Sequence, residues 1–494
     1  MSADTGVSNV VLVTIDSLRA DAIGAYDGDR HTPVIDGLAE DGTVYDRAFA
    51  TGNWTPFSFP SILASRPAFA DDSRVGVTES PTLASVLSEA DVSTAGFNAA
   101  NGFLTSHWGY DDGFDEFEPF VASVGSSIYS RYLATHPTVE AWLQLASSPF
   151  RRILSRLKRN ADDRPFLDTS RMFDVEQAAT SFVDRTESPF FLWIHYMDAH
   201  TPYVPAPRYI REVSSNWLGT HRMLHAHVRT GLGWDVDDRT LAELRTLYQA
   251  AVRQVDASVG RVLKSLSDAG VRDETAVVLA GDHGEEFLEH GHLAHYPKLY
   301  DELIRVPLVV DVPGESGRRV GTQVGLDAIP PTVADLLAVE SPEEWQGRSL
   351  AGSLDGDESP ADEPVVSVTV RGEEVTTQPI PRSLADGDLL VSVRDREWTY
   401  IENVDAGGIE LYHRPTDPTQ QSDLSGNPSR EEQRVIERFG SRVREHVATL
   451  QGRGETTGSA GNGSAGDEDG SAEGTDEEPV DGELQARLEA LGYR

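Results

Sequence analysis

The chain has 494 residues, with 42 basic against 81 acidic side chains, a formal net charge of −39 and no cysteine. That length suits one large domain with a sizeable core and a smaller companion. Without cysteine there are no disulfides, thiolate zinc sites or cysteine nucleophiles, and the acidic field repels nucleic acid and anionic lipid, so neither is an expected partner.

Only Lys158, Lys264 and Lys298 are lysine, so almost every basic residue is arginine. The acidic stretch 451–480 holds only eight of the carboxylates, and the excess is spread over the folded part as solvated faces. Dispersed acid of this kind keeps a protein hydrated in concentrated salt, which screens the self-repulsion. The expectation is a halophilic protein, and an acidic substrate would need local positive charge or a metal.

The opening MSADTGVSNVVLVTID has no basic region and no twin arginine before its apolar run, and that run ends at Asp16. It reads neither as a signal peptide nor as a membrane span, so the expected location is cytoplasmic, without stable membrane insertion. Residues 9–15 (NVVLVTI) form a continuous β-branched run, the pattern of a strand buried on both faces of a parallel sheet. TVYDRAFA is strand-like and leads into the aromatic loop GNWTPFSFP, which carries Thr55. A helix is predicted over 82–90 and a strand over 92–97. Segments 121–184 and 208–238 lean helical and read as insertions that cap a site.

Further strands are predicted over 189–196, 275–280 and 306–312. Helices are predicted over 241–266, apolar at 241, 244, 247, 251, 255, 259, 262 and 266, and over 326–339. Strands alternating with helices indicate an α/β fold with a mostly parallel sheet. The catalytic α/β domain is expected to span 1–340. After about residue 340 the chain changes to short alternating segments (EPVVSVTVRG, GDLLVSVRDREWTYIEN, GIELYHR) and a helix over 430–450, a small α+β subdomain spanning 341–450. Residues 451–480 are expected to be a disordered linker, and 481–494 regain helical periodicity. No internal repeat is present.

In open α/β sheets, ligands bind beyond the carboxyl ends of the strands. Four polar clusters fall there: Asp16 in TIDSLRAD; His195, Asp198 and His200 in WIHYMDAHTPY; Asp282 and His283 in VVLAGDHGEEFLEHGHLAH; and Thr55 after TVYDRAFA. A metal that gathers ligands from several strand ends needs this layout. Each cluster also has a plainer reading. Asp16 can cap the helix that follows, Thr55 before Pro56 can be turn chemistry, and His195, inside a strand, reads as structural. The density of GDHGEE, with His290, His292 and His295 close behind, tips this segment toward metal or phosphoryl chemistry.

The segments NVVLVTIDSLRADAIGAY, HTPVIDGLAEDGTVYDRAFATGNWTPFSFPSILAS, HYMDAHTPYVP, LAGDHGEEFLEHGHLAHYPKLYDELIRVPLVV and IELYHRPTDPTQQSDLSGNPS together resemble the sulfatase family of the alkaline phosphatase superfamily. They follow family order over most of residues 9–425, and the terminal LEALGYR resembles a common family ending. The resemblance implies an alkaline-phosphatase-like sandwich, with a mostly parallel central sheet flanked by helices. It implies that Asp16, Asp282 and His283 bind a divalent cation, with the nucleophile as a further ligand. In WTPFSFPSILAS the nucleophile position falls on Thr55. By the same resemblance His200 contacts the substrate, and His295 or Lys298 adds a second positive contact; an imidazole titrating near ~6.5 also suits His200 to protonate the leaving group.

One departure bears on the substrate. Sulfatases proper make a formylglycine from Cys or Ser in a C/S-x-P-x-R motif, whereas here Phe57 and Phe59 stand at the Pro and Arg positions and Thr55 cannot carry the aldehyde. A sulfated threonine lacks an easy elimination route, so a plain hydroxyl suits a phosphate mono- or diester, or phosphoryl-group transfer, better than sulfate. The expected cofactor is one divalent cation (Mn, Zn, Ca or Mg), with Mn or Zn favoured by the mixed oxygen and nitrogen donors. The expected partner is a small-molecule, glycan or lipid-head-group ester. The alternative is a noncatalytic protein that binds an anionic glycan or head group on the same fold.

Overall fold

The structure is a computed structural model and describes residues 6–121, 171–187, 189–201, 203–215, 236–295, 297–354, 356, 359–371 and 381–452. Most of both predicted insertions, the linker over 451–480 and the helix over 481–494 lie outside the described residues.

Fifteen strands are described. They are β1 (Asn9–Ile15), β2 (Thr43–Phe49), β3 (Ser93–Asn98), β4 (Glu116–Glu118), β5 (Phe190–Tyr196), β6 (Thr275–Gly281), β7 (Glu286–Phe287), β8 (Leu293–Ala294), β9 (Arg305–Val306), β10 (Leu308–Asp311), β11 (Arg318–Gly325), β12 (Val365–Arg371), β13 (Asp388–Arg394), β14 (Trp398–Asn403) and β15 (Ile409–His413). The main sheet runs β11-β2-β10-β6-β1-β5-β3-β4, with β9 paired to β2. Its centre is parallel: β1 lies between β5 and β6, and β5 pairs with β3.

The predicted strand over 306–312 is corrected on two counts. Pro307, which has no N–H to give a ladder, divides it into β9 and β10, and β10 runs antiparallel to both β2 and β6. Strand β11, absent from the sequence reading, pairs parallel with β2 at the sheet edge, where alternating exposure replaces a continuous apolar run.

Residues of β1 alternate between two cores. Val10 and Leu12 pack on one face of the sheet, and Val11, Val13 and Ile15 on the other. One face is covered by the 31-residue helix Asp238–Asp268 and by Met172–Arg185; the other holds the helix Thr55–Ala64 and most of the strands β12 to β15. Here α1 is Pro33–Asp41 and α2 is Thr55–Ala64. A separate antiparallel sheet, β12-β13-β14-β15, carries the C-terminal helix Arg430–Gly452. Among the described residues no helix is long and apolar enough to cross a membrane.

The register sets the height of the functional groups. Ile15 is level with Tyr196 on one side and Gly281 on the other, while His195 is level with Thr14 and Asn98. The Asp16 amide donates to the Tyr196 carbonyl at 2.8 Å, and the Asp282 amide to that of Ile15 at 3.2 Å. Two carboxylates thus leave neighbouring strands at the same carboxyl edge.

Candidate active site

Thr55 is the first residue of α2, a helix buried along its whole length. Pro56 sets the backbone for a helix start, and Trp54 and Phe57 pack at 5.5 Å between ring centroids. Gly52 is required by the close approach of this turn, since a Cβ there would lie 2.4 Å from that of Phe57. Strand β12 clamps the loop from outside through Val368, whose amide donates to the Thr51 carbonyl at 2.8 Å.

The Thr55 hydroxyl lies 3.1 Å from Asp16 Oδ2 and 3.1 Å from Asp282 Oδ2. Asp282 Oδ1 accepts from the amides of Ser17, at 3.0 Å, and His283, at 2.7 Å. Ser17 makes that contact from a left-handed conformation, φ 57°, costly for a residue with a Cβ and common where a site over-determines the backbone. Its hydroxyl donates to Asp16 Oδ1 at 2.9 Å.

Two imidazoles complete the centre. His283 Nδ1 faces the Gly284 carbonyl at 2.9 Å, so Nδ1 is the protonated nitrogen and Nε2 is left to face Asp16 Oδ1 at 3.5 Å and Asp282 Oδ2 at 3.7 Å. His195, which the sequence reading took as structural, stands beside these groups. Its Nε2 stands 3.6 Å from Asp16 Oδ2, and ligand atoms of Asp16, His195 and Asp282 all lie within 4.8 Å of one another. Its Nδ1 is held by Thr14 Oγ1 at 3.0 Å, which in turn accepts from the Trp193 indole. The Nε2 atoms of His195 and His283 are buried with no hydrogen-bond partner.

Asn101, also missed, donates from Nδ2 to Asp16 Oδ2 at 3.2 Å and to Thr55 Oγ1 at 3.3 Å. A turn at the end of β3 aims it: Asn98 Oδ1 accepts the Asn101 amide, and Asn98 Nδ2 donates to the carbonyls of Asn101 and Leu104. The available signal was NAAN following a predicted strand, at the same sheet edge as the other clusters.

His200 and His295 lie beside this centre, their ring centroids 4.9 Å apart and His295 5.1 Å from His283. Burial pulls His200 down to about 4, against the pull of Asp16's charge. Burial and the neighbouring His283 take His295 to about 3. Both are therefore neutral at pH 7, and His200 does not titrate near the ordinary imidazole value. The Lys298 ammonium donates to the His290 carbonyl at 3.0 Å and lies 5.3 Å from the Tyr300 ring. The structure brings together Asp16, Thr55, Asp282, His283, His200 and His295.

Electrostatics give the two carboxyls opposite characters. Burial pushes Asp282 well above the usual carboxylate range, and Asp16's charge adds to it. Burial opposes ionisation of Asp16 as well, yet the neighbouring imidazoles of His200, His195 and His283 hold its carboxyl well below that range. One hydroxyl proton cannot serve two carboxylates, so either a second proton or a cation must sit among them. Three clustered oxygens and two partnerless imidazole nitrogens fit a divalent cation with mixed oxygen and nitrogen donors.

A family model described as sulfatase matches residues 8–339. The chain is 28% identical over 207 residues to the multifunctional alkaline phosphatase superfamily protein PehA of Trinickia caryophylli, a match covering 36% of this chain and 40% of that one. It is 23% identical over 445 residues to an ulvan-active sulfatase of Formosa agariphila, covering 85% and 77%. Among solved structures, the phosphonate monoester hydrolase of Agrobacterium radiobacter superposes with a TM-score of 0.66 at 17% identity, over 90% of this chain and 96% of that one. With the sheet, the strand-end carboxylates and the family match in agreement, and although the chain spans only about 40% of the length of PehA, the chain belongs to the sulfatase family of the alkaline phosphatase superfamily.

Proposed function

We propose that the protein cleaves an anionic ester, preferentially a phosphate mono- or diester, through a covalent intermediate on Thr55. The observation that carries this reading is the Thr55 hydroxyl held 3.1 Å from each of two buried carboxylates at the start of a helix. Asp16, Asp282, Thr55 and His283, joined by His195, hold the cation in this reading. A bound divalent ion supplies Lewis acidity that lowers the hydroxyl pKa and polarises a nonbridging ester oxygen.

The chain's own groups do the rest. Asp282, the more basic of the two carboxylates, takes up the Thr55 proton, and Asn101 Nδ2 donates to the developing alkoxide. The Thr55 Oγ–phosphorus bond forms as the bond to the leaving oxygen breaks. His200 and His295, neutral at pH 7, act as hydrogen-bonding contacts to the ester oxygens, so the leaving alkoxide draws its proton from water or from a His200 whose pKa the anion has raised. Water then attacks phosphorus, the Oγ–phosphorus bond breaks, and Thr55 regains its proton. An acceptor alcohol in place of water would give group transfer.

The test is a panel of aryl phosphate, aryl phosphodiester, aryl phosphonate and aryl sulfate, assayed in high salt with Mn, Zn, Ca or Mg. Turnover of a phosphorus ester above the sulfate, abolished by a chelator, is the expected result. Faster turnover of the sulfate would reverse the preference, and binding of all four without turnover would favour a noncatalytic role. We further propose that the protein works in concentrated salt, which follows from its dispersed acidic surface.

A further inference from the structure

Glu285 follows the predicted ligand His283 by two residues, yet it is not among the atoms that cluster around Asp16, His195 and Asp282. Its carboxyl is fully buried, an expensive placement unless both oxygens are engaged. They are. Oε1 accepts from the Tyr203 hydroxyl, and Oε2 lies 3.1 Å from His295 Nδ1. The backbone is fixed as firmly, with the Glu285 amide donating to the Glu302 carbonyl at 3.0 Å and the Glu285 carbonyl accepting from Arg19 Nη1 at 2.9 Å. Gly284 permits this approach, because a Cβ there would lie 2.0 Å from the Glu302 oxygen.

The far end of the same histidine is tied to the nucleophile loop. Trp54, the residue before Thr55, donates its indole N–H to the His295 carbonyl, and its ring meets the imidazole edge-on with centroids 6.3 Å apart. His295 is thus held through its backbone by the Thr55 loop and through its ring by Glu285, between the rings of His200 and His283.

We infer that Glu285 is a positioning residue: it fixes the tautomer and ring orientation of His295, so that Nδ1 carries the proton and Nε2 is the atom turned to the ester. The inference rests on the hydrolytic reading above for its consequence in turnover, and on the hydrogen-bond geometry for the tautomer. A carboxylate that holds one ring nitrogen of a histidine fixes what the other can do.

Glu285→Gln separates this role from simple support. With the Tyr203 hydroxyl donating to the amide oxygen as it does to Oε1, the amide nitrogen faces Nδ1 and donates to it, driving the imidazole proton to Nε2; a Glu285→Gln, Tyr203→Phe double variant, in which the amide oxygen is free to turn to Nδ1, should restore the Nδ1 proton. In the cation-loaded full chain, kcat/KM on the best ester of the panel should fall about 10- to 100-fold, with cation stoichiometry unchanged. In a His295→Ala background the same substitution should cost nothing further. An equal loss in both backgrounds, or no loss in either, overturns the inference. A second readout does not depend on turnover: heteronuclear NMR of isotope-labelled histidine should show His295 protonated at Nδ1 in the wild type and at Nε2 in Glu285→Gln. A wild-type His295 protonated at Nε2 overturns the proposal even if the variant does not fold. If no ester is turned over but the tautomers are as expected, the hydrolytic reading fails and the positioning assignment stands.

Discussion

Asp16, Asp282 and Thr55 were legible because strand-end acids and a family-ordered loop single them out, whereas His195 and Asn101 were not. A histidine inside an apolar run looks the same in sequence whether it packs or ligates. Only the register with Thr14 and Asn98 puts His195 at the carboxyl edge, its Nε2 3.6 Å from Asp16. His195→Gln should therefore weaken cation binding about tenfold or more, by calorimetric titration. Unchanged affinity would return His195 to a packing role against Phe59 and Trp193. Thr55→Ala should remove nearly all turnover while leaving the fold and the other ligands in place. Thr55→Ser should keep part of it, since only the methyl that restrains the rotamer is lost. An Ala variant that turned over normally would make Thr55 a turn residue.

At the scale of elements, long uniform runs were readable and interrupted ones were not. Strands β1, β5 and β6 and the helix Asp238–Asp268 carry strong periodicity, while β11 (RRVGTQVG) alternates weakly and β10 is cut short by Pro307. Tertiary capping was also invisible. The N-terminus of α1 has no side-chain cap of its own; Asp256, from the long helix, accepts from the amides of Val34 at 3.0 Å and Ile35 at 2.8 Å. Asp256→Ala leaves both donors unmatched and should cost about 2 kcal/mol in chemical denaturation, and Asp256→Asn less, because it keeps an acceptor. Burial pushes the Asp256 carboxyl up to about 6, against the pull of those amides and of Arg253. A raised carboxyl pKa contributes stability that is present below about 4 and lost as pH rises through about 6. The Asn variant, unable to ionise, should lack that slope between pH 4 and 7; an unchanged slope would assign it to other groups.

For the whole molecule, composition and fold spoke to different things. The alternation of strands and helices anticipated the parallel centre of the sheet, and the segments after residue 340 anticipated a separate antiparallel sheet. The charge of −39 says nothing of topology but predicts behaviour. With carboxylates dispersed over the surface, the melting temperature should fall as KCl is diluted from molar to millimolar, because the repulsion is no longer screened. A flat or rising melting temperature would remove the halophilic assignment without touching the site.

The central claim is that Thr55 becomes covalently bound to the group it transfers. The direct measurement is rapid acid quench of the cation-loaded chain during turnover of its best phosphorus ester, followed by mass spectrometry of the peptide spanning Thr55. The account predicts a phosphoryl-sized mass on Thr55 in the wild type and none in Thr55→Ala. An unmodified Thr55 peptide in wild-type chain that is turning over, with the Ala variant equally active, would contradict it.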